Sequence, residues 1–100
     1  MTELYERPNK MVEVDGTEYK LVAFPAMQAL DYQFKLGAGD INPALVADMV
    51  MKGVSKNGVA FNKDSFDKAF TGKISHLMKV WDEVISFNFK DPLDESDSVE

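Results

Sequence analysis

The sequence predicts an α+β fold, mainly α: an N-terminal β-hairpin, about four helices, and an acidic, disordered C-terminal tail. Three observations carry this. Asp15-Gly16 sits between runs of strand-forming residues; apolar residues recur three and four apart in Phe24–Gly37 and Ile74–Ile85; and Asp91–Glu100 holds five carboxylates and no base. One hundred residues, 45% of them hydrophobic, suit one small domain with a modest core. Residues 1–90 are read as that domain, with 1–9 a mobile arm, 10–22 the hairpin and 24–90 the helical part, followed by the tail at 91–100.

In KMVEVDGTEYKLV (Lys10–Val22), Asp15-Gly16 favours a two-residue turn, because both central residues of that turn need positive φ. Val12, Val14, Tyr19, Leu21 and Val22 suit its strands. A lone hairpin is marginal, so this one must lie on a helix or add to another sheet, which leaves an exposed edge open for pairing. In FPAMQALDYQFKLG (Phe24–Gly37), Met27, Leu30 and Phe34 line one side of an amphipathic helix, with a proline near its start and a glycine just past its end, where a left-handed residue is welcome. A second helix is expected from Pro43 to about Lys52, capped by Asn42, with Leu45, Val46, Met49 and Val50 at helical spacing and Gly53 ending it. Val54–Ala60 carries an Asn57-Gly58 turn and reads either as a small hairpin or as a loop. A third helix opens at Asn62 or Lys63, where Asp64 and Asp67 suit a helix start, and closes at Thr71-Gly72. The fourth carries Ile74, Leu77, Met78, Trp81, Val84, Ile85 and Asn88 and stops at Asp91-Pro92. The stripes of the first and last helices are expected to pack on each other, with Met27, Met49 and Met78 as core methionines.

Composition excludes several classes of function. Without cysteine there is neither a disulfide nor a thiolate nucleophile, and a single histidine cannot build a zinc site of the usual His/Cys kind. His76 has Asp82 and Glu83 six and seven residues on, the wrong spacing for a helical neighbour, and reads as a surface or rim histidine. Neither glycine-bearing link has the phosphate-binding pattern, and the Asp64 segment lacks the ligands of a calcium loop. Neither catalytic nor metal nor cofactor residues are assigned, and an enzyme is not expected. All 11 basic residues and 12 of the 17 acidic ones lie in Met1–Lys90, so the net charge of −6 resides mostly in the tail. An even mixture of signs argues against nucleic acid, which needs clustered Lys and Arg. No apolar run approaches the roughly 20 residues of a spanning helix, and Met1–Lys10 is polar, so a cytoplasmic protein is expected.

What remains is apolar surface. Met51 projects off the Leu45, Val46, Met49 side of its helix, and Phe87 and Phe89 project off the Trp81, Ile85 side. Met51, Trp81, Phe87 and Phe89 are therefore the candidate partner-binding residues, although a small domain that wraps its helices on several sides would use the same positions for packing.

The order of parts, TEYKLVAFPAMQAL, a glycine-bearing link, FNKDSFDKAFTGKISHLM and a long helix closing on FNFKDP, resembles the small tail assembly chaperones of tailed bacteriophages. The likeness spans Glu18–Pro92 and lies chiefly in the Pro25-Ala26 helix entry, Phe66–Gly72 and Asn88-Phe89. It implies a non-enzymatic protein of the host bacterial cytoplasm that binds the helical tape measure protein and keeps it soluble until tail tube subunits polymerise around it. Such chaperones leave before the virion is finished, and the family often makes a longer frameshifted product. The tube protein is a further partner, and self-association stays open. Two rival readings are a small acidic inhibitor that mimics nucleic acid and a minor structural tail subunit whose hairpin edge pairs between neighbours.

Overall fold

The computed structural model describes residues 7–89. Most of the expected arm, Lys90, the Asp91-Pro92 stop and the acidic tail lie outside the described residues. Strands β1 (Asn9–Val14) and β2 (Thr17–Val22) form the expected hairpin, with Asp15 at φ 51° and Gly16 at φ 84° in its turn. Helices α1 (Ala26–Gly37) and α2 (Pro43–Gly53) follow, then the short strands β3 (Val54–Lys56) and β4 (Val59–Ala60), and then α3 (Lys63–Phe70) and α4 (Ile74–Phe89).

The Asn57-Gly58 segment is a second hairpin, with Asn57 at φ 54° and Gly58 at φ 79°. It does not stand alone. Lys20 pairs with Ser55 and Leu21 with Val54, so both hairpins join one antiparallel sheet ordered β1-β2-β3-β4. The β2–β3 pairing joins residues more than thirty apart in sequence, beyond the reach of any local pattern. β1 remains an open edge of this sheet among the described residues.

The helices are punctuated as their residues dictate. The Asn42 side chain accepts a hydrogen bond from the Leu45 amide at 2.9 Å, and Pro43 fills the first turn, where no N–H is required. At α3 the cap is reciprocal: the Asn62 side chain accepts from the Ser65 amide, and the Asn62 amide donates to the Ser65 hydroxyl, both at 2.9 Å. Asp64 sits in the first turn and pairs with Lys68 rather than serving as the cap. The end of α1 departs from expectation. Gly37 is still helical, and the left-handed residue is Gly39, at φ 79°. The Gly39 amide bonds to the Leu36 carbonyl and the Asp40 amide to the Lys35 carbonyl, the double closure that a glycine two residues later permits.

The core lies between the helices and one face of the sheet. Val14, Tyr19 and Leu21 meet Met49 and Val50 of α2 and Leu77, Val80 and Val84 of α4. Two expectations about this core are overturned. On α4 the buried line runs through Leu77, Val80 and Val84, whereas Ile74 and Met78 are exposed. The helix is rotated toward Val80 because the sheet presents Tyr19 and Leu21 there. On α1 the Met27, Leu30, Phe34 stripe faces solvent, at 78%, 48% and 72% exposure, and Tyr32 is the buried residue at 1%. The inward side is Ala29, Tyr32 and Leu36, which also repeat at three and four residues. A helix with apolar residues on two sides has no preferred rotation until a partner selects one. Of the three methionines expected in the core, only Met49 is buried.

The α2–β3 junction is tight. A Cβ added to Gly53 would stand 2.8 Å from Phe24 Cε1 and 3.2 Å from Val84 Cγ1, and both neighbours are buried. Glycine to alanine in a helix ordinarily gains about 1 kcal/mol. Here overpacking of about 1–3 kcal/mol wins. Gly53→Ala is expected to lower the urea midpoint of unfolding, and an unchanged or raised midpoint would show that the Phe24 ring can yield.

Candidate functional site

Two features stand apart from ordinary packing. The first is a polar chain that closes the β1–β2 turn onto α4. Asp15, at the turn, accepts from His76 Nδ1 at 3.0 Å and from Lys79 Nζ at 2.9 Å. His76 Nε2 lies 2.6 Å from the Tyr19 hydroxyl. Because an ionised carboxylate only accepts, the proton is assigned to Nδ1, and the Tyr19 hydroxyl then donates to Nε2. The His76 side chain is 13% exposed, and its acidic partner is Asp15 of the distant hairpin rather than Asp82 or Glu83.

Tyrosine, histidine and aspartate in series resemble a nucleophile, a base and its orienting group. The electrostatics run the other way. Burial first, and the Asp15 charge second, raise the Tyr19 phenol above its ordinary range, which favours the neutral hydroxyl over a nucleophilic phenolate. Asp15 is pulled below the usual carboxylate range by its bond to His76, then by that to Lys79. The chain is a latch between hairpin and helix. Among the described residues, no group of three or more His, Asp or Glu could hold a metal ion.

The second feature is the outward face of α1. The helix is held by its inner side, where the Tyr32 hydroxyl donates to Asp48 of α2 and its ring meets Phe24 edge-on at 4.8 Å. Burial, then the Asp48 hydrogen bond, push the Tyr32 phenol above its ordinary range. With that side anchored, Met27, Leu30 and Phe34 project into solvent in a row, and Ile41 is exposed just beyond the helix. Their spacing was legible in the sequence; their orientation was not.

The four candidate contact residues lie elsewhere, and all are half-buried. Trp81, Phe87 and Phe89 pack their inner edges on the core. The Trp81 indole N–H points at the Met49 sulfur at 3.4 Å, a weak acceptor, while Met51 sits two residues further along the same helix. Phe89 reaches Phe24 at 6.2 Å, and Phe24 in turn contacts Tyr32, so the end of α4 adjoins the base of α1. The structure brings Phe89 towards α1 and places Trp81 on the α2–α4 seam.

These elements define a small α+β domain: a sheet-backed helical layer with a row of exposed apolar side chains along α1. Residues 40–99 match the family described as phage tail assembly chaperone protein, TAC. The match covers more than half of the chain, and the chain belongs to that family. No curated protein and no solved structure matches it. The protein is thus a phage tail assembly chaperone, a non-enzymatic kind of protein that works with the proteins of the tail. No helix among the described residues is long and apolar enough to cross a membrane.

Two titrations test the anchors. Tyr32 has a raised folded pKa, so its contribution to stability is full below the unfolded value of about 10 and is lost as pH rises towards the folded one. Tyr32→Phe is expected to cost about 1 kcal/mol at neutral pH. It should also speed amide exchange in α1 and remove part of the alkaline destabilisation expected of the unmodified chain. Asp15 has a lowered pKa, so its contribution is present above about pH 4 and is lost as pH falls through the carboxylate range. Asp15→Asn should flatten that acid limb of the unfolding curve, and an unaltered limb would show that the latch carries no stability.

Proposed function

We propose that this chaperone binds amphipathic helical segments of the tape measure protein in the host bacterial cytoplasm and keeps them soluble until the tail tube polymerises. The observation that carries the reading is the α1 face, on which Met27, Leu30 and Phe34 stand exposed three and four residues apart. That is the spacing with which one helix receives the apolar stripe of another. Three large side chains left in water on a monomer are costly unless a partner covers them. Met51, Trp81, Phe87 and Phe89 extend the contact surface in this proposal, Phe89 through its neighbour Phe24 at the base of α1. The four lie inside the family's matched span. The α1 face lies N-terminal to it and enters on geometry alone.

The nucleic-acid mimic finds less support. It needs rows of unpaired carboxylates, whereas Asp15, Asp31, Asp48 and Asp64 each stand within 3.4 Å of a lysine.

Co-expression with the tape measure protein of the same phage provides the test. The unmodified chain is expected to co-purify with it and raise its soluble fraction. Met27→Asp combined with Phe34→Asp should reduce that fraction severalfold while leaving the unfolding midpoint nearly unchanged, since exposed substitutions typically move stability by about 0.5 kcal/mol or less. Parallel variants at Trp81 and Phe87 separate the α4 end from the α1 face. A tape measure protein that stays insoluble beside the unmodified chain would defeat the proposal.

A further inference from the structure

On the side bearing the second hairpin and the start of α4, two adjoining clefts form one groove. The first, of about 340 Å³, is bordered by Val59, Ala60 and Phe61 with Lys56 and Lys68 at its rim. The second, of about 500 Å³, shares Lys56 and Lys68 and adds Asp15, Thr17, Tyr19, Lys73 and His76. One half of the groove is therefore apolar and the other cationic. Its acidic residues are already engaged: Asp15 with His76 and Lys79, and the nearby Asp64 with Lys68. Among the described residues, Lys56 and Lys73 make no ion pair, and Val59 is exposed.

A ligand for such a groove carries several carboxylates and one or two apolar side chains in a short stretch. We propose that the occupant is the chain's own C-terminal segment, residues 91–100, DPLDESDSVE. It offers Asp91, Asp94, Glu95, Asp97 and Glu100 to the lysines, and Leu93 and Val99 to the Val59, Phe61 side. It contains no cation that would repel Lys56 or Lys73. The reach is sufficient. From Phe89 back to His76 is thirteen residues of helix, about 20 Å at 1.5 Å per residue. Ten extended residues span about 33 Å. The lysines of the groove, its Val59–Phe61 side and residues 91–99 of the segment fall within residues 40–99, the span matched by the chaperone family, whereas Asp15, Thr17 and Tyr19 of the groove lie outside it. The docked segment would cover the apolar half of the groove and neutralise its lysines without touching the α1 face. This inference stands independently of tape measure binding.

The test compares amide NMR spectra of the full chain and of a chain ending at Lys90. Removing residues 91–100 is expected to shift the resonances of Lys56, Phe61, Ala69 and Lys73. Lys56→Glu with Lys73→Glu in the full chain should reproduce those shifts at sites other than the substituted residues. A synthetic peptide of residues 91–100 added to the truncated chain should restore the original positions. Its binding should weaken about tenfold in the double lysine variant, the order expected when two exposed ion pairs become repulsive. It should also fade at about 1 M salt, where the screening length falls to about 3 Å. Circular dichroism checks that the variants fold. Resonances around the groove that ignore the truncation, or that move only at the end of α4, would overturn the proposal. Shifts that vanish on dilution would overturn it too, because the segment would then dock on a second copy.

Discussion

The contact on which most of this structure depends is that of the Phe24 ring over Gly53. α2 runs straight into β3 without a loop residue, and the missing side chain at Gly53 lets Phe24 and Val84 close over the junction. Phe24 then touches Tyr32 on one side and Phe89 on the other, while its amide donates to the Asn88 side chain at 2.9 Å. Asn88 also donates to the Val84 carbonyl of its own helix, so the end of α4 is held by backbone and side chain together. One ring thus sets the relative positions of α1, the α2–β3 corner and α4. An interior packed to crystal-like density transmits a misfit at such a point to every element that meets there.

The Asp15–His76–Tyr19 latch does the corresponding work at the opposite end of α4. A two-stranded hairpin alone is marginal, and here it is secured twice: by sheet pairing through β3 and by a charged turn held against a helix. The groups are satisfied as donors and acceptors, and no buried side-chain polar atom among the described residues lacks a partner.

The sheet, α2 and α4 pack closely on one another, and α1 lies against them through its inner side. Its attachment is concentrated at Tyr32, and its outer face is apolar. In the function proposed above, that apolar face supplies the affinity for a helical partner. The cationic groove is lined by residues other than those of the α1 face, so the two proposed contacts need not compete for the same side chains.

The order and type of elements were determined by the sequence itself, because turns and caps act locally. Asp15-Gly16 makes its turn, Asn42-Pro43 and Asn62-Ser65 start their helices, and Thr71-Gly72 ends one, each through groups within a few residues. Tertiary structure alone decided which way the helices face. α1 carries two apolar stripes, and periodicity cannot choose between Met27, Leu30, Phe34 and Ala29, Tyr32, Leu36. The choice falls to Phe24 and Asp48, which receive the ring and hydroxyl of Tyr32 from outside the helix. For the same reason Val80 escaped a stripe centred on Trp81, and His76 found its carboxylate sixty-one residues away. Local chemistry specifies where a helix begins and ends; only the surface it meets specifies its rotation, and that rotation decides which apolar stripe of α1 is left exposed.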